Sequence, residues 1–279
     1  MNRMLGVAAL FLATGALACS SDVLGPSELN DDQIDADIAA ASGANVAAEL
    51  ASFDDNVAAA GSFTVVAPNS GLKSPVSASV SVGPVAPTCT YSAGRYSCAA
   101  TNEQGLSVTR SFAFYDANGS TVQTFDATKV ESVNFQAQID GSFQPDLFWT
   151  AGVHRTRNVT VSGLISQAPH RVWNGVGLGA DTVTHIALDG IRSLAGAVAD
   201  TVTNLVMPGK DAASQNPLSG TVVVAADYTA SLQGATGTVS KQVKRRVVVT
   251  FDGTASASLA IGSLECVLHL DTKRVDSCQ

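Results

Sequence analysis

From Ser62 onward, β-branched residues alternate with Ser, Thr and Gly, and Gly, Pro, Asn and Asp punctuate the runs. Residues 76–82 (VSASVSV) alternate strictly, and Val133, Phe135, Ala137 and Ile139 share one face of a strand. Val222, Val224, Ala226, Tyr228, Ala230 and Leu232 give a second such face. Val239, Val243, Val247, Val249 and Phe251 give a third, into which Lys241 and Arg245 intrude. Asp116-Ala117-Asn118-Gly119 has the composition of a tight turn. The spacing fits about ten to fourteen strands. Residues 191–207 fit either a helix or a strand, because Val198, Val202, Leu205 and Val206 satisfy both periods loosely. The expected fold is all-β, an antiparallel sandwich or half-barrel spanning 62–279, with a short N-terminal helical arm. RTRNVTVSGL (155–164) echoes KRRVVVTFDG (244–253), which suggests two similar β units.

Before Ser62 the period changes. Asn30 is a good N-cap, Gln33 stands at the capping-box position, and Leu29 with Ile34 can form a hydrophobic staple. Gly43 is expected to end that helix. A second helix follows over about 45–60, with Val46, Leu50, Phe53 and Val57 on one stripe and Gly61 as its C-cap.

The first eighteen residues stand apart. Arg3 precedes an apolar run from Met4 to Ala18, too short for a membrane span and suited to a signal peptide over 1–18. The run closes on Ala16-Leu17-Ala18-Cys19. That sequence resembles the lipobox of bacterial lipoproteins. The resemblance implies that Cys19 carries lipid, becomes the mature N-terminus and attaches the protein to a membrane. Ser20, rather than Asp, implies sorting to the outer membrane, facing the periplasm or the surface. Residues 19–61 then form an acidic tether bearing the two helices.

Composition sharpens this picture. Charged residues are 14% of the chain, against about 25% in ordinary soluble domains, and 46% are hydrophobic. Such a chain is too apolar for wholesale disorder. The net charge is −8. Residues 19–72 hold nine acids and no Lys or Arg, whereas the remainder is balanced. That distribution excludes the basic footprint of a nucleic-acid binder. The acidic arm is read as a solvated spacer. Lys241, Lys244, Arg245 and Arg246, with Arg155 and Arg157 as companions, could meet anionic lipid or lipopolysaccharide, but are read as a solvated strand face balanced by nearby acids.

With Cys19 lipidated, Cys89, Cys98, Cys266 and Cys278 remain, an even number suited to an oxidising compartment. A two-residue turn at Ala93-Gly94 sets Cys89 opposite Cys98 as a non-hydrogen-bonded pair, roughly 4.5 Å apart at Cα, and sets Tyr91 opposite Tyr96. Cys266 and Cys278 stand similarly around a three-residue loop, Asp271-Thr272-Lys273. Four cysteines allow three connectivities, of which the two local bridges are favoured.

Constellations for chemistry are sparse. Residues 175–180 (GVGLGA) carry the letters of a dinucleotide fingerprint, but a strand pattern follows where a helix is needed, so a Gly-rich turn or bulge is the better reading. His154, His170, His185 and His269 form no close ligand pair, and no GxSxG elbow is present. No cofactor, metal or enzymatic activity is expected. Phe148 and Trp149, with Trp173, concentrate aromatics that could meet an envelope lipid or glycan, or plug one end of the core. The expected role is a non-catalytic envelope protein, structural or adhesive. The alternative is a periplasmic carrier holding an acyl chain or other apolar ligand in a β half-barrel. A carrier needs an open interior, and a structural module a filled one.

Overall fold

A computed structural model describes residues 29–62 and 89–279, without 104, 145–147, 167–169, 188–189, 210–211, 213 and 277; for 51–62, 103 and 143 it describes the backbone alone. Residues 76–82, Cys19 and the leader lie outside the described residues.

Among the described residues one helix precedes the strands, α1 (Asp31–Ser62). The strands are β1 (Cys89–Ser92), β2 (Arg95–Cys98), β3 (Thr101–Glu103), β4 (Leu106–Tyr115), β5 (Thr121–Val122), β6 (Ser132–Phe143) and β7 (Trp149–Ser162). Then come β8 (Arg171–Ala187), β9 (Gly190–Met207), β10 (Ser219–Gly234), β11 (Gly237–Phe251), β12 (Ser256–Ile261), β13 (Leu264–His269) and β14 (Arg274–Asp276). They form one open 14-stranded antiparallel sheet in the order β1-β2-β4-β6-β7-β8-β9-β10-β11-β12-β13-β14, with β3 and β5 attached to β4. Every step from β6 to β14 joins sequence neighbours, so the centre of the sheet is a meander.

The cross-strand register aligns the alternation from strand to strand. Val133 faces Phe114 and Val161, while Phe135 faces Phe112 and Val159. These rows put Val, Leu and Phe side chains on one inner face, where α1 packs against β10 to β14. Ile34, Ile38, Val46 and Leu50 of the helix join Val133, Val161, Leu205, Val247, Leu259 and Leu268 in a single buried cluster. A single open antiparallel sheet with a helix on its inner face bears out the expected all-β fold, a sandwich or half-barrel with a helical arm.

Residues 191–207 resolve as strand, within the 18-residue β9. Val198, Val202 and Leu205 are buried on the inner face. The run 175–180 lies inside β8 and not in a turn; the bulge sits just before it, where the β8–β9 register shifts between Trp173 and Gly175. Asn204, on the partner strand, takes a φ of 46° there. The two sequence echoes fall on β7 and β11, and their aligned positions face opposite ways. Arg155 points to the inner face, whereas Lys244 bonds Asp227 on the outer one.

The helical arm is one helix, not two. Asn30 caps it as expected, its side-chain oxygen accepting from the Asp32 amide at 2.9 Å. Gly43 does not stop it. A Cβ on Gly43 would stand 2.4 Å from Val275 Cγ2 and 3.2 Å from Leu268 Cδ1. The glycine therefore marks where the helix meets the sheet most closely, and packing there holds a helical Gly that local propensity disfavours.

Both cysteine hairpins close locally. Ala93 and Gly94 take φ of 51° and 80°, a primed turn, and the register pairs Cys89 with Cys98 and Tyr91 with Tyr96. The Cys89–Cys98 disulfide has Cα atoms 4.0 Å apart, and Cys266–Cys278 has them 4.1 Å apart. The second hairpin departs from the expected three-residue loop. His269 pairs with Arg274, leaving four residues between them. The ladder then advances by one, because Val267 pairs with Asp276 while Glu265 and Gln279 exchange backbone hydrogen bonds. That step brings Cys278 opposite Cys266.

Candidate functional site

The inner face carries a buried ionic network at its centre. Along β7, Arg155 and Arg157 are in phase with the buried Val159 and Val161. Along β8 and β9, Asp181 and Asp200 are in phase with Val183 and Val198. Arg155 makes a two-pronged pair with Asp181, its Nε donating at 2.8 Å and its Nη2 donating to the second oxygen. Arg157 Nη1 donates to Asp200 at 2.5 Å and also to Glu49, which α1 lowers onto the sheet. The side chains of Asp181 and Asp200 are 3% and 4% exposed, so charge this deep survives only through such pairing.

Glycines make the network possible. Arg157, Gly177 and Asp200 occupy one cross-strand row, with the glycine between the two charges. A Cβ on Gly177 would lie 2.4 Å from Asp200 Oδ1, and one on Gly179 would lie 2.7 Å from Arg155 Cγ. Gly177 and Gly179 thus clear inner-face space for charged side chains. They lie within a strand, without the helix N-terminus that a dinucleotide fingerprint uses.

The electrostatics single out Glu49. Arg155 and Arg157 balance Asp181 and Asp200, so the Glu49 carboxylate is an odd negative charge. Burial, reinforced by the nearby Asp200, raises its pKa to about 7 against the pull of Arg157. Tyr228, from β10, is also pushed upward, by burial and by the neighbouring Asp181.

Three further acids of α1 are docked as well. Asp31 pairs with Lys241 at 2.7 Å, Asp35 with Arg245 at 2.5 Å, and Asp37 with Arg192 at 3.3 Å. This corrects the solvated spacer. Arg157 on β7, Arg192 on β9, and Lys241 and Arg245 on β11 are the partners of the α1 acids and fix them to the sheet. Lys244 points outward to Asp227, as the balanced-face reading expects.

The candidate aromatics separate. Trp173 is wholly buried and stacks on Phe135 with centroids 5.8 Å apart. Trp149 stacks on His185 at 4.2 Å. The register puts Trp149 opposite His185 and Trp173 opposite Val161, at opposite ends of the β7–β8 ladder, so the two do not line one site. Phe148 is 58% exposed, close to Ile186, whose amide donates to the Phe148 carbonyl. The histidines also disperse. His154 pairs with Asp140 on the outer face, His185 lies 3.4 Å from Asp37 on the inner one, and His269 lies 3.7 Å from Asp276 near the C-terminus. Among the described residues no group of three or more His, Cys, Asp or Glu is placed to hold a metal ion.

The chain matches no known family model, no curated protein and no solved structure.

Sequence reasoning singled out Arg155 and Arg157 only as companions of the basic run, and missed Asp181, Asp200 and Glu49 as their partners. The available signal was phase: each sheet charge falls on the same alternation as the buried apolar residues of its strand.

Proposed function

We propose that the protein is a non-catalytic, lipid-anchored envelope protein with a structural or adhesive role. The occupied inner face carries this reading. A carrier for an acyl chain needs that volume open, whereas here α1 fills it with Ile34, Ile38, Val46 and Leu50 and ties it to the sheet through ion pairs. The buried arginines and carboxylates spend their hydrogen bonds on one another, which is the arrangement of a fixed scaffold. Cys19, after Ala16-Leu17-Ala18, supplies the anchor, and Ser20 directs it to the outer membrane. The two hairpin disulfides suit an oxidising compartment.

Mass spectrometry of the protein purified from its own envelope tests the reading. The expected result is a diacyl or triacyl mass on Cys19 and a native spectrum without co-purifying ligand. A stoichiometric acyl species in the native spectrum replaces the structural role with a carrier. An unmodified Cys19 removes the anchor.

A further inference from the structure

The outer face of β2, β4, β6, β7 and β8 forms an open groove of about 600 Å³, distinct from the inner network. The register arranges its side chains in two rows crossing the strands. Ser111, Gln136, Asn158 and Val176 make one; Thr109, Gln138, Thr156 and Leu178 make the other. Within a row, successive side chains stand one strand spacing apart, about 4.8 Å. That interval is comparable to the advance of one sugar ring along an extended glycan.

The lining chemistry selects among ligands. Its outward side chains are amides and hydroxyls, with Val176 and Leu178, 49% and 60% exposed, as an apolar wall at one end. No side chain of the two rows is ionised; the one cation that reaches them among the described residues, Arg95, donates to Ser111 at 3.2 Å and to Asn134, so its hydrogen bonds are spent on the protein and a phosphate- or sulfate-rich ligand finds a single counter-charge, at the β2 end. Cations that line it, Arg110 and Arg157, belong to the inner-face phase of their strands and contribute backbone. Gln136 and Thr109 have no side-chain hydrogen-bond partner among the described residues. Asn158 accepts from Asn134 and keeps its own amide protons. The Gln136 amide alone offers two donors and an acceptor with two lone pairs. A hydroxyl donates and accepts at once, so a polyol can satisfy such groups in either sense, while its C–H faces meet Val176 and Leu178. An added peptide strand is disfavoured, because β6 and β7 are paired on both sides and present no free edge.

We propose that this groove binds an uncharged, hydroxyl-rich oligosaccharide lying across the strands, with Gln136 and Asn158 as its central contacts. The inference rests on the adhesive form of the function proposed above and names its ligand class.

The test is calorimetric titration of the purified protein with neutral hexasaccharides derived from cellulose, chitin, xylan and mannan, with a heparin hexasaccharide as the charged control. At least one neutral sugar is expected to bind, with affinity unchanged between about 50 and 200 mM salt, since no counterions are released. Gln136→Ala and Asn158→Ala should each weaken it roughly 5–10-fold, the loss of one or two neutral hydrogen bonds. Both side chains are exposed, so the melting temperature should not move. The proposal is overturned if no neutral sugar binds, if both variants bind like the parent, or if only heparin binds with a steep salt dependence. Sedimentation of the protein with isolated envelope, run in parallel, separates the two readings. Retention that ignores both substitutions sinks the groove and keeps the adhesive role. Sugar binding without retention does the reverse.

Discussion

Replacing Glu49 with Gln removes the odd charge from the inner network while keeping its shape. In the folded protein burial lifts the Glu49 pKa to about 7, from an ordinary 4.5. At about 1.36 kcal/mol per unit, that difference makes the ionised carboxylate cost the docked helix about 3 kcal/mol. The folded pKa lies above the unfolded one, so the folded state binds the extra proton. Stability from this group is therefore fully present below pH 4.5, declines as pH rises through about 7, and is lost above it. Glutamine cannot titrate. Its amide also meets Arg157 less well than a carboxylate does, which lowers stability by an amount independent of pH. The informative quantity is thus the change with pH of the difference between the two proteins. Urea unfolding at pH 5 and pH 8, followed by the fluorescence of Trp149 and Trp173, gives it. E49Q should gain about 2–3 kcal/mol on the parent between the two pH values. Charges facing Glu49, from Arg155, Arg157 and Asp200, are common to both proteins and cancel. A difference that stays constant within about 0.5 kcal/mol refutes the reasoning, and so does one that shifts toward the parent as pH rises.

Three further perturbations follow from the same geometry. Arg157→Met leaves Asp200 buried without its cation and should lower stability by about 3–5 kcal/mol in urea unfolding, with Asp200→Asn added to it recovering part of the loss. Gly43→Ala should destabilise despite alanine's better helix propensity, because the new Cβ meets Val275 at 2.4 Å; a lower melting temperature, restored by adding Val275→Ala, is the expected outcome. Replacing Cys89 and Cys98 together by Ser should reduce stability by about 2–3 kcal/mol, and non-reducing peptide mapping of the parent should recover Cys89–Cys98 and Cys266–Cys278 as the linked pairs.

Much of this architecture is written locally. The alternation of Val222 to Leu232, the Asp116–Gly119 turn and the Ala93-Gly94 hairpin each depend on neighbours in sequence, and each appears as expected. So does the first cysteine pairing, because a tight turn fixes register by counting. The second hairpin shows where counting ends: a one-residue slip in its ladder, invisible in the sequence, is what aligns Cys266 with Cys278.

What the sequence alone determined is thus the repertoire: an all-β chain with short hairpins, an acidic helical arm and a face along each strand. Tertiary structure decided the meaning of the exceptions. Gly43 looked like a helix stop and is a point of contact; residues 175–180 looked like a turn, and Gly177 and Gly179 among them clear space for charge. Lys241 and Arg245 looked like intrusions into an apolar face, and with Arg157 they are the anchors of α1. The physical reason is common to all. A glycine's or a buried charge's role depends on what occupies the space opposite, and Arg157 finds its partner Glu49 108 residues away, across a helix whose docking no local pattern encodes.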